Sequence, residues 1–254
     1  MTLIPKSHPR AKSLLIREKL VTGFDMRLVA KEGLLAQGRG EAFDYLLGEK
    51  TNRTAKDAIK TAAAQILLAE FPVISVNGNM AALCPKEVVK LAKSTHAKME
   101  VNLFYANAKR KQNVVKALKE SGAEEILGTN KMSRTTLPGI DSARRIVDKN
   151  GIFLADVVVV PLEDGDRTMA LRKAGKKVIT FDLNPLSRTS QTADITIVDN
   201  VTRAMELLID SCVRLSNKNQ KQLEKIVANF DNKKNLSDSI IEIRNNLIRR
   251  ARIA

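Results

Sequence analysis

The sequence predicts an α/β protein with a Rossmann-like, doubly wound parallel sheet of about six strands, extended by helices at both ends. Three observations predict it. Between residues 71 and 198, short β-rich runs alternate with helical stretches, the pattern of a parallel sheet covered on both faces. One run contains VVVV (157–160), which fits a strand buried on both sides. The flanking stretches keep a helical period instead. We read the 254 residues, 44% of them apolar, as a single domain over 1–254. It divides into an N-terminal helical segment (1–70), a Rossmann-like core (71–215) and C-terminal helices (216–254).

The elements follow in order. Ser7 can cap a helix beginning near Pro9, with Leu14, Leu15, Leu20 and Val21 as its apolar face. A second helical stretch carries Leu28, Val29, Leu34 and Leu35 and breaks at Gly38-Arg39-Gly40, ahead of Phe43, Leu46 and Leu47. Thr54 can cap a third, alanine-rich helix ending near Glu70. The predicted strands are VISVN (73–77), KMEVNLF (98–104), EEILGT (124–129), ADVVVVPL (155–162), KVITFDL (177–183) and ITIV (195–198), with helices near 85–95, 108–121 and 165–174. Val201 to Leu215 is an apolar helix; Leu223, Ile226 and Val227 mark another. Ile240, Ile241, Ile243, Leu247 and Ile248 mark the last, closed by Arg249, Arg250 and Arg252. Those cations complement the helix dipole, or form a patch for nucleic acid or lipid.

Composition narrows the function classes. Lys and Arg number 43 and Asp and Glu 28, a formal charge of +15. Such an excess points to polyanionic partners such as nucleic acid, anionic lipid or phosphorylated small molecules, or to a merely lysine-rich surface. Aromatics are 4%, with no Trp, which leaves little to stack single-stranded bases. Cys84 and Cys212 make neither a zinc pattern nor a disulfide framework. Cys84 precedes a predicted helix start, which could activate it, or is a small buried residue. Apolar runs fall short of the roughly 18 residues of a membrane span. MTLIPKSHPRAKSLL has no apolar core of a secretory signal, so the expected location is the cytoplasm.

Doubly wound sheets bind ligands at the carboxyl ends of their strands, where strand order reverses. In the usual order the first and fourth predicted strands meet there. Their ends are Asn77-Gly78-Asn79 and Pro161-Leu162-Glu163-Asp164-Gly165-Asp166-Arg167. Gly78 would let a phosphate or carboxylate approach a helix start, with Asn77 and Asn79 supplying amide donors; the bland reading is an ordinary strand-to-helix turn. The acidic turn can cap its helix or hold Mg²⁺. The fifth strand ends in Asp182, suited to a ribose hydroxyl, followed by Leu183, Asn184 and Pro185. Arg188 and Thr189 can reach phosphate oxygens, and Asp199-Asn200 closes the sixth strand. GxGxxG is absent, which argues against a dinucleotide dehydrogenase.

IPKSHPRAKSLLIREKLV (4–21), VISVNGNMAAL (73–83), VVVVPLEDGDRT (157–168) and FDLNPLSRTSQTADITIVDNVTRA (181–204) strongly resemble archaeal phosphopantothenate synthetase, the 4-phosphopantoate–β-alanine ligase family of coenzyme A biosynthesis. The resemblance runs from about residue 4 to 215. It implies a homodimer with a Rossmann-like core that joins 4-phosphopantoate to β-alanine while ATP becomes AMP and pyrophosphate. It places ATP contacts on Arg17, Arg39, Asp182, Leu183, Asn184, Arg188, Thr189, Asn200 and Val201. The chemistry then expected is an acyl-adenylate route, with ATP as co-substrate and Mg²⁺. Lys6 or Arg10 would hold the substrate phosphate beside Gly78, and His8, with Asn77 and Asn79, would serve catalysis. His96 is expected to be structural. The sequence departs from the family's pattern at Tyr105, where a histidine is expected, and over 129–150, which is more cationic; the last forty residues carry no recognisable motif. The competing reading is a basic Rossmann-like nucleic-acid-binding module.

Overall fold

The computed structural model describes residues 4, 5, 7–162 and 164–253. Three helices come first: α1 (Ala11–Asp25), α2 (Lys31–Leu47) and α3 (Arg53–Leu68). Their starts differ from the sequence expectation. α1 begins at Ala11, beyond Pro9, and has no side-chain cap, so Ser7 does not cap it. α3 is capped by Asn52, whose side chain accepts from the Ala55 N–H, rather than by Thr54. Leu28 and Val29 are buried in the turn before α2, not on it. α2 runs unbroken through Gly38-Arg39-Gly40 to a left-handed cap at Gly48 (φ +89°). A glycine costs a helix interior about 1 kcal/mol. Burial of Gln37, Glu41, Asp44 and Leu47 on the same helix outweighs that.

The core follows as β1 (Pro72–Val76), α4 (Gly78–Leu83), α5 (Pro85–Thr95), β2 (Lys98–Val101), α6 (Ala108–Glu120), β3 (Arg134–Thr136), β4 (Ile146–Asp148), β5 (Val157–Val159), α7 (Gly165–Lys173), β6 (Lys177–Phe181), α8 (Arg188–Thr192), β7 (Ile195–Ile197) and α9 (Val201–Leu215). The main sheet is parallel, in the order β2-β1-β5-β6-β7. It therefore has five strands rather than six. The predicted third strand, 124–129, reaches the sheet only through a bridge between Glu100 and Leu127. Gly128 then turns the chain at φ +81°, where a Cβ would lie 2.7 Å from the Val101 carbonyl, so pairing cannot continue. The first and fourth predicted strands are indeed neighbours, with Val73 opposite Val158.

Strand alternation divides the core. Val157 and Val159 join Ile74, Val76, Ile179 and Phe181 under α3, α5 and α9. Val158 and Val160 face Val73, Val178, Ala170 and Leu171 on the other side. Ala58, Ala62, Ala63 and Ala64 are fully buried, so the alanine run of α3 brings its backbone close to its neighbours. The cationic 129–150 stretch contains an antiparallel pair, β3–β4, that the sequence did not suggest. Buried Glu100 accepts from the Asp148 N–H (3.1 Å) and the Ile152 N–H (2.7 Å), fastening this stretch to β2.

The last forty residues form α10 (Gln220–Ala228) and α11 (Asn232–Ala251). α11 crosses from β7 to α2. Asn232 and Asn235 bond the backbone of Thr196 through N–H and C=O respectively, each at 2.9 Å, and Asn246 donates to the Leu46 carbonyl at 3.1 Å. Among the described residues no helix is long and apolar enough to cross a membrane.

Candidate active site

The strand-end turns are sewn together in sheet order. Asn77 caps α4 by accepting from the Met80 N–H (3.0 Å), and its amide donates to the carbonyls of Pro161 (2.9 Å) and Leu162 (3.3 Å) after β5. Both amide hydrogens are thus spent within the protein, so Asn77 is not the open donor that its position suggested. Asn79 donates to the Gly33 carbonyl (2.9 Å), tying α4 to α2. Gly78 is required by close approach: a Cβ there would lie 2.1 Å from the Leu28 carbonyl and 2.8 Å from an Arg110 guanidinium nitrogen. Leu162 accepts a left-handed backbone (φ +52°), a conformation that costs a branched residue roughly 1–3 kcal/mol.

The acidic turn is committed in a similar way. Asp164 caps α7 by accepting from the Arg167 N–H (2.9 Å) and takes Arg144 on its other oxygen (3.4 Å). Asp166 pairs with Arg188, joining the turns after β5 and β6. Glu163 lies outside the described residues. Among the described residues no group of three or more His, Cys, Asp or Glu side chains is placed to hold a metal ion.

The turn after β6 is self-contained. Asp182 accepts from the Asn184 N–H (2.9 Å) and from the Ser187 hydroxyl. Burial pushes its carboxyl up, and those bonds and the nearby Arg39 charge partly offset this. Asn184 accepts from the Leu186 N–H at 2.9 Å, Leu183 is buried against Leu47, Val198 and Leu236, and Thr189 is buried on α8. Ser187, not foreseen as functional, caps α8 and holds Asp182. After β7, Asn200 caps α9 and donates to Asp44 of α2 (3.1 Å). Arg203 clamps Asp44 from the next turn of α9 (2.7 and 3.0 Å), and Val201 is buried beneath.

Two hollows open beside these turns. The first, about 280 Å³, is lined by α2 residues including Gln37 and Arg39, by Asn77, Gly78 and Asn79, by Phe104, Tyr105, Arg110 and Arg144, and by Leu162 and Asp164. The second, about 350 Å³, lies between α1 and α2 and is lined by Arg17, Gln37, Gly38, Glu41 and Tyr45 among others. Larger hollows of 600 and 1060 Å³ are lined by no residue from the turns after β1, β5 or β6, so volume does not mark the site.

Arg17 grips Glu41 with two bonds of 2.8 Å, and Arg10 donates to the Tyr45 hydroxyl (2.9 Å). Burial raises the Glu41 carboxyl, but hydrogen bonds from Arg17 and Tyr45 outweigh it and hold the group below its ordinary value. Arg10 is therefore bonded to Tyr45, which lines the second hollow, whereas Gly78 lines the first. His8 is exposed, lines neither hollow, and accepts from the Arg10 N–H through Nδ1 (3.0 Å). Lys6 lies outside the described residues. His96 ends α5 in a left-handed turn, remote from these groups. Burial pushes the Cys84 thiol far up and that of Cys212 to about 12, so neither is an activated nucleophile.

Sequence reasoning missed Arg110 and Arg144. Burial, with the charges of Arg167 and Arg110, pushes Arg144 down to about 9 against the pull of Asp164. Its guanidinium lies 5.6 Å from the Phe104 ring centre. For Arg144 the signal in the sequence was the cationic excess of 129–150; Arg110 lies on the helix expected over 108–121, among other cations.

A family model for phosphopantothenate/pantothenate synthetase matches residues 54–246. The chain is 52% identical to the 4-phosphopantoate–β-alanine ligase of Thermococcus kodakarensis, over 99% of this chain and 96% of that one. It is 50% identical to the proteins of the same name from Thermococcus onnurineus and Methanosarcina mazei, over 99% and 97% of this chain and 96% of each relative.

Proposed function

Since the chain belongs to the phosphopantothenate/pantothenate synthetase family, we propose that it condenses 4-phosphopantoate with β-alanine, converting ATP to AMP and pyrophosphate. A carboxylate oxygen of phosphopantoate attacks the α-phosphorus and pyrophosphate leaves. The β-alanine nitrogen then attacks the activated carbonyl carbon, AMP departs with the carboxylate oxygen, and the amine loses its proton. Both reactants are anions, so fixed cations and oriented donors carry the catalysis. Holding the reactants in line is worth roughly 7–11 kcal/mol, which suits a site without a protein nucleophile.

The observation that supports this reading best is the row of strand-end turns along one edge of the sheet, with Asn77 bonded to Pro161, Asp166 to Arg188, and Asn200 to Asp44 of α2. We assign the nucleotide to the Asp182, Leu183, Asn184, Arg188, Thr189, Asn200 and Val201 side of that row. Arg39 faces it from α2, and Arg17 flanks it at the second hollow, with Arg10 bonded to Tyr45 nearby. Asn77 and Asn79 act by position, shaping the floor around Gly78. His8, bonded to the Arg10 backbone, is the proposed acceptor of the amine proton, which a His8→Ala variant tests by loss of the second step alone. Mg²⁺ would come with the nucleotide, since that ion is held largely by phosphates and water with one or two carboxylates. The reading carries with it a cytoplasmic homodimer. Mixing the protein with ATP, Mg²⁺, 4-phosphopantoate and β-alanine should yield AMP, pyrophosphate and phosphopantothenate in equal amounts. ADP with equal phosphopantothenate would replace the adenylate with an acyl phosphate.

A further inference from the structure

We propose that Arg110 and Arg144, converging on the cleft around Gly78, form the seat of the substrate's phosphate monoester and so make the enzyme specific for the phosphorylated acid. The proposal rests on the ligase reading above and adds to it the residues that read the phosphate.

The geometry is specific to this cleft. Arg110 arrives from α6 and is held by its own framework, Nε donating to the Leu28 carbonyl (2.9 Å) and Nη1 to the Tyr105 carbonyl (3.0 Å). Those two bonds fix the guanidinium plane and turn Nη2 toward Gly78, at 2.8 Å from the position a Cβ would take. Arg144 enters from the segment just before β4, its side chain 9% exposed, resting near the Phe104 ring and reaching Asp164 at 3.4 Å. Burial opposes both charges: it lowers Arg110 against the pull of Glu32, and it lowers Arg144 together with the charges of Arg167 and, less, Arg110, against the pull of Asp164. A dianionic phosphate between them would offset the burial of both charges and take a charged hydrogen bond from Arg110 Nη2, with the Arg144 guanidinium beside it. Glu32 and Asp164 also line the cleft; Asp164 already caps α7, and Glu32 is exposed on the first turn of α2. Arg10, expected to take this role, is instead engaged with Tyr45 beyond the cleft.

Initial rates of AMP formation decide the matter, with 4-phosphopantoate and unphosphorylated pantoate varied separately for wild type, Arg110→Ala and Arg144→Lys. The lysine variant keeps the buried charge and loses the fork, and the more open Arg110 site guards against loss of fold; circular dichroism and thermal melting verify both. The expected result is a KM for phosphopantoate raised 10- to 100-fold, an ATP KM within twofold of wild type, and a phosphopantoate-to-pantoate preference that shrinks by the same 10- to 100-fold. Inorganic phosphate should compete with phosphopantoate in the wild type and lose that effect in both variants. Folded variants that keep the wild-type preference and the phosphate inhibition would overturn the seat while leaving the ligase reading intact. A wild type that makes no AMP from these substrates would overturn the ligase reading itself, and the seat with it.

Discussion

Arg188 can be separated cleanly into structural and functional parts. Its pairing with Asp166 is exposed on both sides, and exposed pairs contribute about 0–1 kcal/mol. A charged hydrogen bond to a nucleotide is worth about 1.5–3 kcal/mol. Arg188→Ala should therefore raise the KM for ATP by roughly 10- to 100-fold while shifting the melting temperature little; equal ATP affinity in the variant would remove Arg188 from the nucleotide site. Glu100 gives the opposite case, a residue with consequences for stability alone. Burial raises its carboxyl to about 7, against bonds from the Ile152 and Asp148 N–H groups and the charge of Arg167. The folded protein thus keeps this proton at pH values where the unfolded chain has lost it. Stability from this group is full below about 4.5 and declines as pH rises through about 7, by roughly 3 kcal/mol in all. Urea midpoints at pH 5 and 7.5 should fall for the wild type, and Glu100→Gln should flatten that difference. At this scale the sequence disclosed the strand-end residues Asp182 and Asn200, because their place follows from local order. It could not disclose that the Asn77 amide is consumed, since its acceptors lie more than eighty residues away, at Pro161 and Leu162.

Elements were most legible where periodicity and burial agree, as in β5 and α9. They failed where tertiary packing overrides local preference. α2 passes through Gly38 and Gly40 because its buried face, not its propensity, decides its length. The same helix supplies a test. Nothing lies within 4 Å of a Cβ at Gly38, so Gly38→Ala should stabilise the fold by about 0.5–1 kcal/mol. That methyl would project into the second hollow, so a rise in the KM for ATP with unchanged phosphopantoate KM is expected if the nucleotide lies there. Gly78→Ala should do the reverse, because its Cβ would meet the Leu28 carbonyl at 2.1 Å. Displacing backbone in a packed site costs roughly 1–3 kcal/mol, and a thermal melt of the variant that matched wild type would refute the close approach. The 124–129 segment failed for a different reason. Its apolar run is genuine, but a left-handed glycine one residue after Leu127 leaves it room for a single bridge.

Across the whole molecule, the +15 charge is shared among the site arginines, helix ends and exposed lysines. It should give only weak, sequence-independent nucleic-acid binding. Each phosphate neutralised adds about 0.9 to the salt slope, so a filter-binding titration should lose the signal by physiological salt. α11 buries Asn235, Leu236, Ser239 and Asn246, all upstream of Leu247. Removing residues 249–254 should therefore weaken nucleic-acid binding and leave melting temperature and AMP formation unchanged; loss of either would give those residues a place in the fold. Two side chains of the last forty residues have a further consequence at the sheet edge. Parallel sheets ordinarily end in a strand whose outward N–H and C=O groups are available to any extended chain. Here Asn232 and Asn235 occupy both groups of Thr196, acting as a surrogate sixth strand two side chains long. A chain lacking those amides would meet its own copies with β7 unguarded, and its failure would be one of aggregation that grows with protein concentration, well before any loss of ligand affinity.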